Sequence, residues 1–184
     1  CWELEGACSR RVVVKDITRG SAPVNGYFDS ITMIGDPIVL FTSDGRLNRV
    51  GEGEKEASVK YTSEDTGLGV KCEFEGVAYD STSQSLLMPC KKVHDKAMRD
   101  SLIIYRWSIA AKKTKLTYLA VPLARIIGSN GWATLHPSDI TIDPFTGNYA
   151  MVASIEKAVF EITPAGALVF ARALPPGHDQ AEGV

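Results

Sequence analysis

Four acidic residues and three histidines carry most of the chemistry open to this sequence. Asp29, Glu75, Asp139 and Glu182 each stand at the entrance to a short run of alternating apolar residues. Hard carboxylate oxygens drawn from several such entrances suit Ca2+ or Mg2+, which makes these four the candidate metal ligands. The plainer alternative is that they meet water or accept backbone N–H bonds. His136 and His178 come just before the last two entrances, and a neutral imidazole beside a carboxylate can serve as a general base. A hydrogen-bonded loop anchor is the competing reading for both. His94 lies in the basic stretch KKVHDKAMRD (91–100), where Lys91, Lys92, Lys96 and Arg99 either hold an anion or form a solvated face. Trp132, in SNGWATLH, is the aromatic best placed to touch a ligand. The candidate ligand-binding residues are therefore Lys91, Lys92, His94, Trp132, His136 and His178. No G-x-S-x-G elbow supports a Ser-His hydrolase, and no catalytic residue is assigned.

Those residues need a scaffold, and the pattern around them is strand-like. Short alternating runs rich in β-branched and aromatic residues are bounded by Gly, Asn, Asp and Pro, and no stretch holds an apolar stripe of helical period. The class is all-β. SDITIDPFTGNYAMVAS (138–154) lines up with EGVAYDSTSQSLLMPCK (75–91), and each continues into a third and a fourth apolar strand. An earlier copy starts at Asp29, with GRLNRV as its third strand and ASVKYT as its fourth, and a last copy starts at Glu182. Four-stranded units of about 40 to 50 residues are the signature of β-propeller blades.

The expected architecture is a partial β-propeller of four-stranded antiparallel blades, with about three complete blades and parts of two more. Residues 1–27 end a preceding blade, 28–73 form one blade, 74–136 a second with a loop insertion at 91–100, 137–180 a third, and 181–184 begin the next. In such a fold the first strand of each blade lines the channel. The loops entering it share a face with those between second and third strands, which places 62–74, 91–100, 123–137 and 174–181 together. Asp139 aligns with Gly76 rather than Glu75, which weakens its claim to the acidic ring. Asp80 and Asp143 fall at turns on the opposite face, where Asp bonds its own backbone. Tyr105, Trp107, Phe160 and Phe170 are expected to fill the space between blades.

Composition is that of a globular domain: 184 residues, 45% hydrophobic, 23% charged. A net charge of -2 offers no basic field for nucleic acid. No apolar run approaches the roughly 18 residues of a membrane span. The abrupt ends suggest an internal piece of a longer protein. Cys1, Cys8, Cys72 and Cys90 show no zinc spacing. If 74–80 and 84–90 form a hairpin, Cys72 and Cys90 lie close enough for a disulfide in an oxidising compartment, and two free thiols are the alternative. Cys1 and Cys8 stand in a similar relation across their own hairpin.

The run FEGVAYD…QSLLMPCK, HPSDITIDPFTGNYAMVAS…KAVFEITPAGALV and QAEGV resembles the SdiA-regulated, YjiK-like family of bacterial β-propellers nearly end to end. NHL-repeat and gluconolactonase-like propellers share part of the pattern. The resemblance implies a six-bladed propeller and a periplasmic, cell-surface or secreted location, with no established reaction. The sequence departs from the family pattern at Ser138, where a Glu is usual, and in the insertion after Lys91.

Two functional readings stand at this point. One is an extracytoplasmic propeller that binds a small ligand or protein partner through its loop-rich face, with Ca2+ in the channel. The other is a metal-dependent hydrolase of lactonase or phosphoesterase type, whose channel carboxylates hold a cation that activates water. Whether the chain is an enzyme is left open between them.

Overall fold

The structure, a computed structural model, describes residues 18–19, 22–23, 28–51, 61–128, 130–178, 181 and 183–184. The expected strands within 1–14, Cys1 and Cys8, and Glu182 lie outside the described residues. A hairpin of β1 (Thr18–Arg19) and β2 (Ala22–Pro23) comes first. Three antiparallel sheets follow in chain order. The first holds β3 (Ser30–Met33), β4 (Ile38–Phe41), β5 (Arg46–Val50) and β6 (Tyr61–Asp65). The second holds β7 (Cys72–Phe74), β8 (Ala78–Asp80), β9 (Ser85–Val93), β10 (Ser101–Ser108) and β11 (Lys112–Pro122). The third holds β12 (Asp139–Ile142), β13 (Tyr149–Ala153), β14 (Ala158–Ile162) and β15 (Leu168–Ala173). Each sheet is an up-and-down meander, so the all-β, partial-propeller expectation holds.

The period-two alternation explains how the sheets stack. Along β10, Ile103, Tyr105 and Trp107 face the first sheet, while Leu102 and Ile104 face the third. The first interface adds Val39, Phe41 and Leu47 from the first sheet and Phe74, Leu86 and Met88 from the second. The second interface adds Tyr149, Met151, Phe160 and Ile162 from the third sheet. Trp107 and Phe160 are fully buried, as expected of inter-blade fillers; each such side chain contributes about 1.5–3 kcal/mol by leaving water. Phe170 departs from that expectation, being only half-buried under the Arg172 guanidinium, 5.1 Å from its ring centre.

The turns follow the Asp signals. Asp143 accepts from the backbone N–H of Phe145 at 2.7 Å and of Thr146 at 3.3 Å, and Asp80 accepts from Thr82 N–H at 2.9 Å. Gly147 closes the third-sheet turn with φ +73°, a conformation that favours glycine.

Three local differences from expectation matter for function. The fourth strand of the first sheet runs over Tyr61–Asp65, so part of the expected loop 62–74 is strand. Strand β9 continues to Val93, which puts Lys91 and Lys92 in the sheet rather than in an insertion loop. The expected loop 123–137 opens with a helical turn, α1 (Leu123–Ile127), which sends Leu123 and Ile126 into the core between the second and third sheets.

Candidate functional site

The first strand of the second sheet is broken. β7 and β8 both pair with β9, and Glu75, Gly76 and Val77 lie between them at the entrance to β8. A buried disulfide joins Cys72 to Cys90 across β7 and β9, with Cα atoms 5.5 Å apart. This resolves the choice between bridge and free thiols. It also fixes the segment that leads into Glu75.

Around the entrance the sheets repeat one device. Asp29, ahead of β3, accepts from the backbone N–H of Ser43 at 2.6 Å. Ser138, ahead of β12, accepts from the backbone N–H of Ser154 at 3.2 Å. In the second sheet the same place is taken by Glu75, which forms an ion pair with Lys91. In each case the side chain at the strand entrance is tied to the end of the second strand of its own sheet. Ser138 is buried and also donates to the carbonyl of Ala181 at 2.8 Å.

One residue further along, a second device reaches outside the sheet: Ser30 ties the first sheet to the second, and Asp139 ties the third to the segment at Val184. Ser30 Oγ accepts from Val77 N–H at 3.0 Å, and Asp139 Oδ2 accepts from Val184 N–H at 3.0 Å. Asp139 therefore serves the joint to Gly183–Val184. Burial raises its carboxyl pKa, against the lowering effect of the Ile140 and Val184 backbone amides.

Across the seam between second and third sheets, Gly76 sits directly on the Asp139 backbone. The Glu75–Lys91 pair and Ser138 thus lie on opposite sides of one seam. Two residues before Ser138, His136 meets Glu156, which lies in the turn between β13 and β14. The carboxylate faces two nitrogens of that residue: Oε1 lies 2.6 Å from Nδ1, and Oε2 accepts the backbone N–H at 3.0 Å. The Glu156 side chain is 7% exposed and that of His136 is 28% exposed. This is an imidazole oriented by a largely buried carboxylate, just ahead of the strand entrance at Ser138.

The remaining candidates are scattered. Lys92 and His94 are exposed, and His94 is tied through its backbone N–H to the Lys71 carbonyl at 2.9 Å. His178 is exposed near the end of the third sheet. Trp132 is half-buried against the core between the second and third sheets. Among the described residues, no three or more His, Cys, Asp or Glu side chains gather around one point that could hold a cation. Sequence reasoning missed Glu156. Its signal was present, because loops between second and third strands share a face with the strand entrances, and 154–157 is such a turn.

No protein-family model and no curated protein matches the chain. Two similar solved structures come from Bacteroides. One is a protein of unknown function from Bacteroides caccae, 14% identical, with a TM-score of 0.45 over 84% of this chain and 49% of that one. The other is a structural genomics protein of unknown function from Bacteroides thetaiotaomicron, 15% identical, with a TM-score of 0.43 over 78% of this chain and 43% of that one. The chain spans about half the length of the first and less of the second.

Proposed function

We propose that the chain is a propeller-type binding module, working outside the cytoplasm, that takes a small polar ligand at the mouth between its second and third sheets. The observation that carries this reading is the pairing of Glu75 with Lys91 on one side of the seam and of His136 with Glu156 on the other. Together they offer a cation, carboxylate oxygens and an oriented imidazole on the two sides of that seam. The Cys72–Cys90 disulfide supports an oxidising compartment. The likeness of the blade motifs to YjiK-like propellers supports the same location.

A thermal-shift panel of monosaccharides, oligosaccharides, nucleotides and small carboxylic acids tests the reading. At least one class is expected to stabilise the wild-type chain, with affinity falling about tenfold or more in Lys91→Ala and His136→Ala, the loss of one charged or oriented hydrogen bond. Shifts that persist unchanged in both variants would overturn it.

A further inference from the structure

A carboxylate is acceptor-only, so both groups facing Glu156 must donate to it. One of them, the His136 backbone N–H, has no other option. The other, Nδ1, must then carry a proton, and in the neutral imidazole the lone pair is left on Nε2. Glu156 is almost wholly buried and held by two contacts to the same residue, so its carboxylate is a fixed partner rather than a passing one.

From this geometry we propose that Glu156 is a positioning residue. It locks His136 in the Nδ1–H tautomer and turns Nε2 toward the mouth as a hydrogen-bond acceptor, so the ligand brings a donor there, a hydroxyl or an amide N–H. The choice of ligand class rests on the binding reading above; the locked tautomer does not. Ligands that present only acceptors at that point leave Nε2 unpaired and are discriminated against.

Glu156→Gln supplies the test, because it keeps the shape and changes the donor pattern. Gln has one acceptor oxygen, which the His136 backbone N–H claims, and its amide N–H2 then faces Nδ1. The imidazole proton is forced to Nε2. Long-range 1H–15N NMR of the imidazoles, at a pH high enough that they are neutral, is expected to show Nδ1–H in the wild-type chain, Nε2–H in Glu156→Gln, and recovery of Nδ1–H in Glu156→Asp. A wild-type Nε2–H tautomer, or a Glu156→Gln spectrum identical to wild type, overturns the proposal. If Glu156→Gln does not fold, the wild-type and Glu156→Asp spectra still decide it.

Diethyl pyrocarbonate, an electrophile whose carbonyl carbon is attacked by an imidazole lone pair with release of CO2 and ethanol, reports separately on whether Nε2 faces out. His136 is expected to be carbethoxylated in the wild-type chain and at least fivefold more slowly in Glu156→Gln, with exposed His94 and His178 as internal references. A wild-type His136 that resists while the references react shows Nε2 turned inward and overturns the proposal. The ligand panel can fail with these two readouts intact, and these can fail with the panel intact.

Discussion

Gly76 packs its Cα against the backbone of Asp139, at the seam where the first strands of two blades run side by side. A methyl group at Gly76 would lie 2.8 Å from Asp139 Cα and 3.0 Å from Ile140 N. Backbone atoms cannot step aside as a side-chain end can, so Gly76→Ala must part the two strands. A loss of about 1–3 kcal/mol is expected, the usual cost of overpacking, read as a lower urea midpoint at unchanged m.

The Cys72–Cys90 bridge ties β7 to β9 over a separation of 18 residues. Intact mass should rise by two hydrogens per bridge on reduction. Replacing both cysteines with serine is expected to cost about 2–5 kcal/mol, as for other native bridges, seen as a fall in Tm. A double variant as stable as the parent would show that the bridge does not constrain this blade.

Asp139 and Asp143, at the two ends of one strand, should respond to acid in opposite senses. Burial raises the Asp139 pKa, so over the range between the ordinary and the raised value the folded chain holds more protons than the unfolded one. Stability contributed at Asp139 therefore falls as pH rises through that range. Asp143 is lowered by the Phe145 amide first and by Thr146, so its contribution is present above the ordinary carboxylate value and fades as pH falls through the depressed one. Urea midpoints from about pH 3 to 7, spanning the carboxylate range, check this. Asp139→Asn should remove the first slope and be no less stable than the parent at neutral pH, because the amide oxygen still accepts from Val184. Asp143→Asn should remove the second slope and be less stable than the parent at neutral pH.

The Glu75–Lys91 pair is about three-quarters buried, with side chains 27% and 23% exposed. A double-mutant cycle with Glu75→Gln and Lys91→Met should give a coupling of roughly 1 kcal/mol, at the upper end for a partly solvated pair. Lys91→Met alone should cost more than the double variant, since it leaves a largely buried carboxylate without its cation. A double-variant loss equal to the sum of the two single losses would mean the pair is not coupled.

How much of this was legible in the sequence depends on the range of the interaction that fixes each feature. Strands such as Ser101–Ser108 and Ala158–Ile162 announce themselves by alternation, which is local. Asp80 and Asp143 mark their turns because an Asx turn is made within three residues. The helical turn Leu123–Ile127 stayed hidden because one turn offers a single i, i+3 pair, Leu123 and Ile126, too little for a period. Asp29 and Glu75 stand at equivalent entrances, whereas Asp139 is one residue out of step with them, and one step along a strand changes which side the carboxyl faces. Glu156 was missed because its partner, twenty residues earlier in sequence, comes near only after β12 and β13 have paired.

The joints made by Ser30 with Val77 and by Asp139 with Val184 share a property that reaches beyond this pair of contacts. The donor in both is a main-chain amide, which every residue but proline carries, and the acceptor needs only a short oxygen-bearing side chain. Such a coupling is indifferent to nearly everything else in the incoming unit. A chain built this way can lengthen by duplication and then let its copies drift apart in sequence, each still able to follow any other. That tolerance fits a repeat whose members resemble one another so faintly, and at the seam between the second and third sheets, where Gly76 carries no such oxygen, close backbone packing against Asp139 takes its place.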